Sequence, residues 1–129
     1  MKYHHIALSV SNLKKSLQFY KEIFGFIEEK KISREDLGIK AILLKLNLKD
    51  DLYLELIQSQ NPIKNQDDFS NLNIFGLKHI CFEVGNIDRK YKELKADGYE
   101  VTEIKKGKTL RQYFFIKDPD GFMMEICEI

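Results

Sequence analysis

The strongest constraint on this chain is that it repeats itself. Laid over one another, HIALSVSNL (residues 5–13) and HICFEVGNI (residues 79–87) keep His, Ile, Val and Asn in register. Ala7/Cys81, Leu8/Phe82 and Leu13/Ile87 are conservative pairs. Such self-similarity marks a duplicated supersecondary unit, which limits the fold more than any local propensity. Each copy opens on strand-like alternation and then changes to a helical period. Leu13, Leu17, Tyr20 and Phe24 fall at i, i+4, i+7, i+11, and Ile87, Tyr91 and Leu94 at i, i+4, i+7. Asn12 and Asn86 suit the N-cap, and Asp88 suits a first turn. Gly25 and Gly98 stand where a helix ends on a left-handed residue.

After each helix the period returns to two. FIEEKKI, IKAILLKL and DLYLELIQ read as three strands, and YEVTEIKK, RQYFFIKD and GFMMEICEI as three more. Residues 1–58 and 77–129 therefore each read β-α-β-β-β. The expectation is an α+β domain whose two βαβββ modules pair into a cupped eight-stranded sheet. Residues 59–76, polar and carrying Pro62, form the linker, with a short helix expected around residues 67–72. At 129 residues and 43% hydrophobic content the chain is one domain able to bury a core. A net charge of +1, from 21 Lys+Arg against 20 Asp+Glu, gives no field for nucleic acid or an anionic membrane. No apolar run approaches the ~20 residues of a membrane helix, and no signal-peptide pattern opens the chain. Two cysteines suggest free thiols in a reducing cytoplasm.

Alternation divides each strand between a helix side and a cup side. Ile6, Leu8 and Val10 suit the helix, so His5, Ala7 and Ser9 face the cup. Ile80, Phe82 and Val84 suit the helix in the copy, leaving His79, Cys81 and Glu83. Leu52, Leu54 and Leu56 oppose Tyr53 and Glu55. Phe122, Met124 and Ile126 oppose Met123, Glu125 and Cys127. His4 points away from the cup and reads as a surface or packing histidine. His5 and Glu55 from one half, with His79 and Glu125 from the other, make a nitrogen/oxygen set for one borderline divalent ion: Zn²⁺, Ni²⁺, Co²⁺, Mn²⁺ or Fe²⁺. Two buried carboxylates without a cation would be costly. Cys81 and Cys127 need be no more than small packing residues. Tyr53 and Met123 are walls for an apolar part of a substrate.

HIALSVSNLKKSLQFYKEIFGF, LYLEL, GLKHICFEV and DPDGFMMEI, in this order and spacing, resemble the vicinal-oxygen-chelate superfamily over the whole chain. That superfamily holds glyoxalase I, methylmalonyl-CoA epimerase, extradiol dioxygenases, fosfomycin-resistance enzymes and bleomycin-binding proteins. The resemblance implies paired βαβββ modules, metal positions at His5, Glu55, His79 and Glu125, and a homodimer. An acidic ligand at Glu55 favours the isomerase branch, in which a glyoxalase-I-like lyase/isomerase (lactoylglutathione lyase-like) moves a proton next to a metal-held carbonyl through an enediolate. By the same resemblance Glu125 is the base and Glu55 the ligand able to act on the other face.

The alternatives are a methylmalonyl-CoA-type epimerase and a non-catalytic drug-binding resistance protein. The basic loop at residues 105–111, with Lys106, Lys108 and Arg111, resembles a site for the carboxylates or phosphates of a thiol cofactor. Ser9 stands where glutathione-using members tend to carry Arg, and Gln58-Ser59 where they carry Asn. A neutral Ser cannot pair bidentately with a carboxylate. The substrate expected is a small molecule, either a 2-oxoaldehyde adduct of a thiol that need not be glutathione or an acyl thioester.

Overall fold

Helical and period-two segments fold where the repeat puts them. The computed structural model describes residues 1–47, 49, 51–108 and 111–129. The chain divides into two units, Met1–Asn65 and Gln66–Ile129, and each carries one copy of the repeat. The first holds β1 (His5–Ser9), α1 (Leu13–Phe24), β2 (Ile27–Arg34), β3 (Ile39–Lys45) and β4 (Tyr53–Ser59). The second holds β5 (His79–Glu83), α2 (Ile87–Ala96), β6 (Lys105–Lys106), β7 (Gln112–Lys117) and β8 (Met123–Glu128). The strand orders are β1-β4-β3-β2 and β5-β8-β7-β6, two four-stranded sheets. In both, the first strand runs parallel to the last and the remaining pairs are antiparallel. Parallel neighbours need a long crossover, and here it is a helix plus two strands. This is an α+β fold of two βαβββ modules.

The caps are as expected. Asn12 Oδ1 accepts the Lys15 N–H at 3.0 Å, and Asn86 Oδ1 accepts the Arg89 N–H at 2.8 Å. Gly25 closes α1 at φ 75°, a conformation costly for residues with a Cβ. The buried stripe of α1 differs from the expected one. Ser16, Phe19, Tyr20 and Ile23 are buried, whereas Leu13, Leu17 and Phe24 are half-buried flanks. Phe19, Tyr20 and Ile23 offer more apolar surface than a Leu13/Leu17 stripe, so the helix turns them inward. In α2, Ile87 and Leu94 are buried as expected.

Under α1 the core holds Leu8, Val10, Leu44, Leu54 and Leu56, and the second unit buries Phe114, Ile116, Met124 and Ile126. Leu52 was expected to join Leu54 and Leu56 but is 46% exposed. β4 begins only at Tyr53, so strand alternation does not reach it. YEVTEIKK forms much less strand than its pattern predicts. Only Val101, as an isolated bridge to Ile116, and Lys105–Lys106 pair with β7. Between them the Thr102 hydroxyl accepts the Phe115 N–H at 2.9 Å, replacing a ladder bond with a side-chain bond.

The helix expected around residues 67–72 is a pair of turns. Asp68 Oδ1 accepts the Ser70 N–H at 2.9 Å, and Asn71 Oδ1 accepts the Asn73 N–H at 3.0 Å. Such local bonds compete with helix. The Ser70 hydroxyl and N–H also hold the Asp68 carboxyl below its ordinary range. Among the described residues no helix is long and apolar enough to cross a membrane.

Candidate metal centre

Equal register in the two modules produces two equivalent His/Glu pairs. On β1 and β4, His5 lies opposite Tyr53 and Ala7 opposite Glu55. On β5 and β8, His79 lies opposite Met123 and Cys81 opposite Glu125. Residues two apart on a strand share a face, as do parallel partners. Each histidine is therefore one diagonal step from its glutamate on the same face.

The pairs differ in closeness and burial. His5 Nε2 lies 3.6 Å from Glu55 Oε2, with side chains 44% and 20% exposed, too far for a hydrogen bond. His79 Nε2 lies 2.9 Å from Glu125 Oε2, and the Glu125 side chain is only 7% exposed. The other Glu125 oxygen is 3.7 Å from Arg111 Nη2. Phe115, opposite Glu125 in the β7–β8 register, sets its ring edge-on to His79 at 5.4 Å. A buried carboxylate is tolerated when cations and donors surround it, and the imidazole and Arg111 fill that role.

Imidazole nitrogen and carboxylate oxygen are donors that suit a borderline divalent cation. The wide spacing of His5 and Glu55 leaves both side chains uncommitted to one another. The donor chemistry thus fits such an ion. Within either unit, among the described residues, no group of three or more His, Cys, Asp and Glu is gathered to hold one. Each unit carries one His/Glu pair.

In the second unit an open hollow of about 700 Å³ is lined by His79 and Glu125 together with Lys105, Lys108, Arg111 and Met123. Lys106 is exposed on β6 and is not among its lining residues; alternation gives that wall to Lys105 instead. Thr109 and Leu110 of the basic loop lie outside the described residues. Ser9 ends β1 and is exposed. Tyr53, on β4, touches the His4 ring at 5.1 Å between centroids.

Two contacts lie beyond what alternation reveals. His4 is exposed and packs on Tyr53, the surface and packing role expected of it, but its Nδ1 also lies 2.9 Å from that of His5. His4 precedes the first paired residue of β1, so the two-residue period does not govern it. Arg111 reaches Glu125 rather than only a substrate. Phe115 was legible, since pairing RQYFFIKD with GFMMEICEI puts it on the face of Glu125. The thiols of Cys81 and Cys127 meet at 3.3 Å, with Arg111 Nη1 3.9 Å from Cys127 Sγ. Cys81 is exposed as a residue, yet desolvation of its thiol, then the bond to Cys127, raises its pKa to about 12.

Comparison with known proteins agrees with the fold. The family model of the Glyoxalase/Bleomycin resistance protein/Dioxygenase superfamily matches residues 2–126. An uncharacterized protein of Bacillus subtilis, YwkD, is 32% identical over 97% of this chain and 94% of its own length. The mitochondrial methylmalonyl-CoA epimerase of Homo sapiens is 30% identical over 95% of this chain and 71% of its own. A probable lactoylglutathione lyase of Vibrio cholerae is 30% identical over 96% and 88%. The solved structure of a glyoxalase family protein from Enterococcus faecalis superposes with a TM-score of 0.81 at 28% identity, covering 98% of this chain and 97% of that one. With the match running from before β1 into β8, the chain belongs to the Glyoxalase/Bleomycin resistance protein/Dioxygenase superfamily.

Proposed function

We propose that this chain is a metal-dependent lyase/isomerase of the glyoxalase I type, transferring a proton at the carbon beside a substrate carbonyl. One observation carries the reading: the same His/Glu pair occurs at the same register in both modules, His5 with Glu55 and His79 with Glu125. A duplicated pair of donors is economical for one shared cation, and carboxylates as little exposed as Glu55 and Glu125 are costly to keep for packing alone. His5, Glu55, His79 and Glu125 are its proposed ligands. When bound, a divalent cation supplies Lewis acidity that makes the neighbouring C–H acidic.

Glu125 is assigned the proton transfer. Its side chain is largely buried, and both its oxygens have a cationic or hydrogen-bonding neighbour to hold their direction. Glu55, more exposed and not hydrogen-bonded to His5, is assigned the opposite face. Lys108 and Arg111, which line the hollow with Glu125, are assigned an anionic group of the substrate, and Met123 and Tyr53 its apolar part. Lys106 serves only if the loop carries it inward. Ser9 offers no charge for a glutathione carboxylate, so the thiol of the substrate is proposed to differ from glutathione.

Epimerisation at the 2-carbon of a methylmalonyl-type thioester is the second reading, favoured by the similarity to methylmalonyl-CoA epimerase. It uses the same residues, with the proton returned to the opposite face. The deciding experiment presents zinc-, nickel-, cobalt- and manganese-loaded protein with methylglyoxal hemithioacetals of several thiols and with methylmalonyl-CoA. Turnover of a hemithioacetal to the 2-hydroxy-thioester is expected. Turnover of methylmalonyl-CoA alone selects the epimerase, and stoichiometric drug binding without metal would overturn both.

A further inference from the structure

The site described so far makes no use of His4. Three contacts hold this residue. Its carbonyl oxygen accepts the Tyr53 N–H at 2.9 Å. Its ring lies 5.1 Å from the Tyr53 ring, tilted by 34°. Its Nδ1 is 2.9 Å from Nδ1 of His5. Tyr53 is itself fixed by its pairing with His5 across β1 and β4 and by Lys45 Nζ, 5.3 Å from its ring centroid. Lys45, Tyr53 and His4 thus form a row that ends on the back nitrogen of His5.

Two imidazole nitrogens at 2.9 Å make a hydrogen bond in which one ring donates and the other accepts. His5 Nε2 is the nitrogen directed toward Glu55. A neutral imidazole carries its proton on one nitrogen only. With the proton on Nε2, His5 has no lone pair to offer a cation there. With the proton on Nδ1, donated to His4, the lone pair sits on Nε2. Partners that bond the second nitrogen of a ligating histidine set its tautomer and ring orientation in this way.

We propose that His4 is a positioning residue: by accepting the Nδ1 proton of His5 it holds His5 in the tautomer that presents Nε2 as a donor to a divalent cation. The purpose rests on the metal-dependent reading above, but the tautomer itself belongs to the metal-free chain. The second module does without this device. Lys78 precedes His79, whose ring is held by the Phe115 edge and by Glu125.

The test is nitrogen NMR of the histidine rings in the metal-free, full-length protein at one neutral pH, with Zn²⁺ affinity measured by chelator competition. Wild type is compared with His4→Phe, which keeps a ring against Tyr53 and removes the acceptor, and with His4→Asn, which restores a side-chain oxygen acceptor. The wild-type His5 is expected to be protonated at Nδ1. In His4→Phe its signals move toward the Nε2-protonated form, while those of His79 stay. Zn²⁺ affinity falls about tenfold in that variant, the lower end of what a lost outer partner costs. His4→Asn recovers part of both. A wild-type His5 protonated at Nε2, or a His4→Phe tautomer unchanged from wild type, overturns the proposal. Failure of wild type to bind Zn²⁺, with the nitrogen shifts as expected, strikes the metal reading instead, so the two failures are distinguishable.

Discussion

The two modules share a pattern and differ in what they bury. Their strands have the same order and register, and each capping asparagine has its twin. Yet the two buried acids among the described residues, Asp118 and Glu125, both belong to the second unit. Glu55, the counterpart of Glu125, keeps a half-open side chain. Duplication supplied two copies of one donor pair, and burial then made them unequal. In the second module His79 and Arg111 flank the carboxylate, while in the first His5 turns its Nδ1 to His4 and stands off from Glu55. One glutamate is built to be held in a fixed direction, and the other has room to move. The roles proposed above for Glu125 and Glu55 call for that division.

The largest effect should come from breaking this asymmetry. Glu125→Gln keeps shape and some hydrogen bonding but removes the proton acceptor. It is predicted to lower kcat by about 10³-fold, within the range for loss of a general base. Glu55→Gln keeps an oxygen donor and is predicted to cost no more than about tenfold, the scale of a weakened ligand set. Steady-state assays on metal-loaded protein, with metal content measured in each sample, decide the matter. Equal losses from both substitutions would show that burial does not assign the roles.

How much of this was legible depends on what enforces each feature. The repeat, the caps and the His/Glu pairs follow from patterns that the backbone itself imposes: a period of two on paired strands and an oxygen at the start of a helix. Those patterns stop where pairing stops. Leu52 stands just outside β4, and alternation misplaces it; His4, just outside β1, is exposed and packs on Tyr53 as a surface and packing histidine should. YEVTEIKK alternates like a strand, but the Thr102 hydroxyl takes a ladder position. The α1 stripe drifted because periodicity fixes a face only to within about one residue, and aromatic bulk chose among neighbours. The reach of Arg111 to Glu125 depends on where a loop delivers a long side chain, which no period encodes.

A smaller effect is expected at the turn that sets β8 in place. Asp118 Oδ1 accepts the N–H groups of Asp120 at 2.9 Å and Phe122 at 2.8 Å. Its backbone N–H donates to the Phe122 carbonyl at 2.9 Å, and its carbonyl accepts the Gly121 N–H at 3.0 Å. Gly121 completes the turn at φ 88°, where a side chain would be strained. Asp118→Ala leaves two amides without their acceptor and is predicted to cost about 2 kcal/mol, the value of charged hydrogen bonds. Asp118→Asn keeps an oxygen and should recover about half of that by the same reasoning. Urea unfolding measures both. Because the turn leads directly into Met123 and Glu125, Asp118→Ala should also slow proton transfer, whereas a surface substitution of equal size should not.

The smallest effect sharpens the comparison at the helix starts. Gln58 Oε1 accepts the Leu13 N–H at 2.6 Å, and Glu128 Oε2 accepts the Ile87 N–H at 2.7 Å. The two side chains occupy matching places, three residues beyond Glu55 and Glu125, but only one is charged. α1 has no acid in its first turn, whereas α2 has Asp88 as well as Glu128. A carboxylate near a helix N-terminus is favoured by the aligned peptide dipoles by about 0.3–1 kcal/mol. Glu128→Gln is therefore predicted to destabilise the chain by about 0.5 kcal/mol, and Gln58→Glu to stabilise it by a similar amount. Lys14 and Lys15 lie in the first turn of α1, so the added carboxylate also relieves cations from the wrong end of the dipole. Both shifts should shrink in ~1 M salt, where charges beyond a few ångströms are screened. If Gln58→Glu leaves the unfolding midpoint unmoved at low salt, the bond alone holds the helix start and the charge on Glu128 is incidental. A gain that disappears with salt would instead mark the second module as the one in which fixed charge makes up for a shorter helix with fewer buried side chains.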